Sequence, residues 1–197
     1  MSPRTSEQFD KIRQEKRTLI LDTALELFAE NGFHATSISQ IAKKAGISKG
    51  LSYNYFKSKN EILDEIIKHS FSSIYENFDL NRDGVLTEKE FIFFLRQSFK
   101  LVRENRRHWK LYFSLILQPK VSESFKDEYI KIGQPMFKMM YDFIVSMGST
   151  DPEGDLMVIS AMIEGAFLYS IVIPDIFPIE TMEEKIINAA FRQIKNR

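Results

Sequence analysis

The sequence predicts an all-α chain, with a small three-helix head in residues 1–60 and a larger helical domain in residues 61–197. Three observations carry this. Apolar residues recur three and four apart through most of the chain, and no stretch shows the alternation of a strand. Capping residues stand where the apolar runs begin, and glycine or proline stands where they end. The apolar fraction of 44% is ample for a buried core in 197 residues.

The elements follow in order. Ile20, Ala24, Leu27 and Phe28 mark one face of a first helix, which Asn31-Gly32 ends because glycine accepts the left-handed backbone of a C-cap. Ser37 opens a short second helix, and Gln40 three residues later completes a capping box. Ala45-Gly46-Ile47 makes a tight turn, and Ser48 caps a short third helix. Ser58 and Glu61 form another capping box and open a fourth helix that runs towards Phe78. A helix follows Thr87, and another surrounds Trp109 to Leu117 until Pro119 stops it. Ser122 to Met147 is helical in pattern, though Gly133 and Pro135 are expected to kink or break it. Asp151-Pro152 reads as N-cap and first-turn proline for a helix carrying Leu156, Ile159, Ile163, Phe167 and Ile171, ended by Pro174 and Pro178. The last helix places Met182, Ile186, Ala190 and Ile194 on one stripe.

Composition narrows the function classes. The chain has no cysteine, which excludes disulfides and thiolate metal sites. Its first residues are polar and charged, without a signal-peptide core, and no uninterrupted apolar run reaches membrane-spanning length. A cytoplasmic location and no membrane partner are therefore expected. The three histidines, His34, His69 and His108, lack metal-ligand spacing and read as structural or exposed. With no phosphate-cradling glycine loop and no nucleophile elbow, an enzyme is not expected. The net charge of zero conceals an uneven distribution. Residues 36–60 carry five lysines and no acid, leaving 22 basic and 27 acidic residues elsewhere. A basic patch on a mildly acidic body suits a protein with one end facing a polyanion; a solvated lysine surface would give the same count.

The patch coincides with a helix-turn-helix. In Thr36 to Gly50, Ile38, Ile41, Ala42 and Ala45 supply an apolar seam, and Gly46 relieves the turn between two crossed helices. Such a motif presents the start of its second helix to the major groove. The longer string GFHATSISQIAKKAGISKGLSYNYFKSKNEIL, Gly32 to Leu63, closely resembles the signature of the TetR family of bacterial transcriptional regulators over about a quarter of the chain. The resemblance implies a helix-turn-helix head on a larger C-terminal regulatory and dimerisation domain. It also implies a homodimer, operator DNA as partner, and a small apolar or amphipathic effector, commonly acting on a repressor. Ser52 departs from the family pattern, which has a larger apolar residue before Tyr53, and Leu51 is expected to compensate by packing inward.

The resemblance also implies roles for individual residues. Thr36, Tyr55 and Lys59 match positions that touch phosphates, as hydroxyls and an ammonium can. Ser48, Lys49, Gly50, Leu51 and Asn54 match positions that face the groove. Lysine can donate to guanine and asparagine can pair with adenine. Tyr53 could pack or touch a phosphate.

Two further constellations stand in the larger domain. Aromatic and methionine side chains crowd Trp109 to Tyr169, among them Phe113, Phe125, Tyr129, Met136, Phe137, Met140, Tyr141, Met162 and Phe167. Singly these read as core; together with Trp109 they suit an effector pocket that a kink at Pro135 could help to open. The run Asp79 to Glu90 resembles an EF-hand calcium loop. Asp79, Asn81 and Asp83 take loop positions one, three and five, with Gly84 at six, Leu86 at eight and Glu90 at twelve. The backbone of Val85 and the side chain of Thr87 complete the expected Ca²⁺ ligands. Thr87 with Glu90 is equally a plain capping box, and Asn-Arg-Asp-Gly a plain turn. The runner-up function is accordingly a calcium-dependent sensor or adaptor whose basic helices bind protein rather than DNA.

Overall fold

The computed structural model describes residues 6–75, 78–119 and 121–195. Among the described residues the chain is helical, in the order α1 (Ser6–Asn31), α2 (Ile38–Lys44), α3 (Lys49–Tyr53), α4 (Lys59–Tyr75), α5 (Glu88–Glu104), α6 (Arg106–Ile116), α7 (Val121–Ser146), α8 (Pro152–Val172) and α9 (Ile179–Lys195). The all-α expectation is met, and most of its boundary signals act as read; at Ser58 only half of the expected box forms, because Glu61 Oε2 accepts from Lys57 N. Ser37 and Gln40 make both halves of a capping box, as do Thr87 and Glu90. Ser48 accepts from Leu51 N, and Asp151 accepts from Gly154 N ahead of Pro152. Gly32 and Gly46 take φ of 86° and 68°, the left-handed backbone that ends α1 and turns α2 into α3. The expected run of α4 on to Phe78 crosses residues 76 and 77, which lie outside the described ones.

Two compact units result. The first comprises residues 1–69 with 111–126, and the second residues 70–110 with 127–197. The first is larger than the expected head of 1–60, because the end of α6 and the start of α7 join it. Its core is Ile20, Ala24, Phe28, Ile41, Phe56, Ile62 and Ile67, each at most 1% exposed. In the second unit α5 packs against α8 and α9. Edge-on or tilted ring pairs run through it, with Phe91 meeting Phe143 and Phe191, and Phe99 meeting Phe167 at 5.2 Å.

Helix α7 corrects one expectation. It runs from Val121 to Ser146 with Pro135 inside, so neither Gly133 nor Pro135 breaks it. Pro135 is exposed, where water can satisfy the carbonyl that its missing N–H leaves free. Gly133 is buried, and a β-carbon there would stand 2.7 Å from the Phe137 ring. Its glycine leaves room for that ring.

Helix α8 qualifies another. It is long and apolar enough to cross a membrane by length and composition, with 39% of its apolar window buried. It nevertheless holds a buried carboxylate, Asp155, which accepts from Ser149 Oγ at 2.5 Å and from Gln193 Nε2 of α9 at 2.8 Å. Its opposite side exposes Met157, Val158, Tyr169 and Val172.

Candidate nucleic-acid interface

The head builds a five-residue helix onto an apolar seam and leaves its outer face open. Ile41 and Ala42 of α2 are buried, and Ser52 is the one buried residue of α3, 1% exposed with its hydroxyl donating to Lys49 O at 2.7 Å. Ser52 therefore packs inward itself. The expected compensation by Leu51 does not occur: Leu51 is 37% exposed, because the small serine lets α3 lie close to its support with Leu51 turned out. Ser48, Lys49, Gly50, Leu51, Tyr53 and Asn54 together form the exposed face. It offers a hydroxyl, an ammonium, an apolar side chain suited to a thymine methyl, a phenol and an amide. Tyr55 is half-buried beside it.

Two residues expected at phosphates are committed elsewhere. Thr36 is 2% exposed, with its hydroxyl placed to donate to Gly32 O at 2.9 Å and Leu27 O at 3.1 Å. Lys59 Nζ donates to Phe33 O at 2.6 Å, Thr36 O at 2.8 Å and His34 O at 3.2 Å, and lies 4.5 Å above the Phe33 ring. An ammonium has three protons, and three carbonyls take them. Partial burial lowers its pKa. Lys59 thus ties down the turn between α1 and α2. Of the other lysines of the patch, Lys44 is paired with Glu26 and Glu30 of α1. Lys43, Lys49 and Lys57 are exposed, with no ion pair among the described residues.

Gln118 was not legible as a functional residue. Its Nε2 donates to Phe28 O at 2.8 Å, and its Oε1 accepts from Phe33 N at 2.9 Å. One amide so joins the end of α6 to both sides of the α1 C-terminus. Residues 85 to 90 positions apart make these bonds, and no local pattern signals them.

The expected effector residues fall in both units. Phe113 and Phe125 belong to the first unit and the other eight to the second. Within the second, Tyr129 meets Phe137 at 5.2 Å and Phe71 at 5.5 Å, and its hydroxyl donates to Glu164 at 3.3 Å. Trp109, Met140 and Phe167 are buried core, while Met136 and Tyr141 are half-buried. Met162 instead lines an open groove of about 570 Å³ between α8 and α9, with Ala161, Gly165, Tyr169, Met182 and Ile186.

In the loop 79–90 Asp79 Oδ2 accepts from Gly84 N at 2.9 Å and Asp83 Oδ1 from Val85 N at 2.8 Å, while the three carboxylates do not converge. Glu90 is turned onto Thr87, whose N–H and Oγ1 both donate to its Oε2, at 3.0 and 2.7 Å.

Comparison with known proteins agrees with the head. Residues 20–66 match the family of bacterial regulatory proteins, tetR family. The chain is 38% identical over 80 residues to the fatty acid metabolism regulator protein of Bacillus subtilis, and the match spans 41% of each chain. The fold extends further than the sequence likeness. The repressor NalD of Pseudomonas aeruginosa superposes with a TM-score of 0.72 at 21% identity, over 91% of this chain and 97% of that one. The regulator FadR of Bacillus subtilis, solved with stearoyl-CoA, gives 0.67 at 17% identity, over 89% and 98%. Residues 20–66 thus match the model of the tetR family of bacterial regulatory proteins, in a chain with the fold of these solved regulators.

Proposed function

We propose that the protein is a DNA-binding transcriptional regulator, acting as a homodimeric, effector-responsive repressor and not as an enzyme. The observation that carries this reading is the outer face of α3. Lys49, Gly50, Leu51, Tyr53 and Asn54 are exposed on a helix whose buried side is fixed by Ser52, inside the segment that matches the tetR family. Lys49 and Asn54 supply base contacts, while Lys43, Lys57 and Tyr55 border them as phosphate contacts. Calcium is no part of this reading, and the sensor or adaptor alternative has no support from the relatives found.

The dimer is supported by the α8–α9 face. Ala161 and Gly165 lie one turn apart beside an apolar groove, and exposed Met157, Val158 and Val172 continue it. A second copy packing there would cover surface that costs free energy in water. Two-fold symmetry then implies a pseudo-palindromic operator with half-sites about 34–36 Å apart, or a multiple of that distance. An apolar or amphipathic effector is supported by the likeness in fold to the regulator FadR of Bacillus subtilis, which was solved with stearoyl-CoA. Linkage requires that such a ligand and DNA weaken each other by the same factor.

Fluorescence anisotropy with the DNA upstream of the protein's own gene tests the reading. Saturable binding that survives an excess of unrelated DNA is expected. Binding no tighter than to unrelated DNA, at every salt concentration and across the neighbouring promoters, would contradict it.

A further inference from the structure

We propose that the loop between α4 and α5 is a Ca²⁺ site, with side-chain oxygens of Asp79, Asn81, Asp83 and Glu90 and the carbonyl of Val85 as ligands and Thr87 at the ninth position. The sequence fits the twelve-residue pattern at each defining place: acid or amide at one, three and five, glycine at six, glutamate at twelve. A turn and a capped helix would explain Asn81 to Gly84 and Thr87 to Glu90. They would require neither Asp79 nor the spacing that links the two.

The structure adds an observation the pattern alone does not contain. Asp79 Oδ1 is buried and has no hydrogen-bond partner among the described residues. A carboxylate oxygen withdrawn from water without a partner is costly, and a cation removes that cost. The other oxygen, Oδ2, accepts from Gly84 N at 2.9 Å, so Asp79 is already folded back over the loop. Gly84 takes φ 77° at the sixth position, where the chain must turn sharply around an ion. Glu90 is only 9% exposed, and its hydrogen bonds engage Oε2 alone.

In the structure Glu90 caps α5 by receiving the two donors of Thr87. With metal, the Glu90 carboxylate swings to the ion, and α5 keeps the other half of its cap, the bond from Glu90 N to Thr87 Oγ1. An all-oxygen set with a bidentate-capable glutamate selects a hard cation. The flexible ring favours Ca²⁺ over the smaller Mg²⁺, which demands near-octahedral geometry.

Calorimetric titration of the full chain, first stripped with chelator, tests the site using Ca²⁺ itself. One ion bound per chain and a rise in thermal midpoint with Ca²⁺ are expected, with Mg²⁺ at least about tenfold weaker. Glu90→Gln should weaken binding by at least about tenfold while leaving the thermal midpoint in chelator near that of wild type, since glutamine also completes a capping box. Asp79→Ala, which removes the carboxylate of the first position, serves as a second variant with the same expectation for affinity. No heat up to millimolar Ca²⁺, equal affinity for Mg²⁺, or wild-type affinity in both variants would overturn the proposal. None of these outcomes bears on DNA binding, so the two readings stand or fall separately.

Discussion

Three carbonyl oxygens within 3.2 Å of one ammonium determine what Lys59 does. It satisfies three carbonyls of the turn after α1 and holds Phe33, His34 and Thr36 in the course that delivers α2. Lys59→Ala should therefore lower the stability of the free protein by about 1 kcal/mol, the net loss of hydrogen bonds to partly buried acceptors. The salt dependence of DNA binding should stay as in wild type. Chemical denaturation and anisotropy across a salt series check both. Unchanged stability with a salt slope smaller by about one unit would instead make Lys59 a phosphate contact. Gly46 makes a second residue-scale case. At φ 68° an alanine meets no neighbour within 4 Å yet must adopt left-handed backbone. Gly46→Ala should cost about 1–2 kcal/mol through conformation alone, read by the same denaturation.

Among the elements, α7 is the one whose sequence misleads. Gly133 and Pro135 are strong breakers in isolation, but the Phe137 ring needs the space over Gly133, and Pro135 sits on the exposed side. A contact one turn along the same helix and access to water accommodate the two breakers there. Pro135→Ala should restore an N–H to the helix and raise stability by up to about 3 kcal/mol, seen as a higher thermal midpoint. A lower midpoint would mean that α7 depends on its proline. Caps and short helices were legible because their signals are local: Ser37, Ser48, Thr87 and Asp151 each sit within three residues of the amide they satisfy. Gln118 was not, because its partners lie at the far end of another helix. Gln118→Glu retains the acceptor for Phe33 N and loses the donor to Phe28 O. A carboxylate would then face a carbonyl, and a loss of about 1–3 kcal/mol in denaturation is expected. Wild-type stability would show that the amide bridge is dispensable.

For the whole molecule, the exposed DNA-facing set was largely legible in the Gly32–Leu63 string, whereas the burial of Thr36 and the outward turn of Leu51 were not. Sequence position states which helix a residue belongs to; whether it points out depends on how closely the helix lies on its support. Which of the aromatic and methionine residues line a cavity was not legible either, since aromatic composition does not distinguish core from cavity. The apolar α8–α9 face gives a whole-molecule prediction. A β-carbon at Gly165 meets nothing within the chain, so Gly165→Arg should fold as wild type while blocking the close approach of a second copy. Light scattering at micromolar concentration should give the mass of a dimer for wild type and of a monomer for the variant. A dimeric variant would place the interface elsewhere. The central claim, that the outer face of α3 reads DNA, is tested most directly by the base preference of the protein across all single-base changes in its operator. Lys49→Ala and Asn54→Ala should each relax the preference at one symmetric pair of positions, by about 1–3 kcal/mol for each side chain–base pairing removed, and leave non-specific affinity nearly intact. Unchanged base preference in both variants would contradict the account.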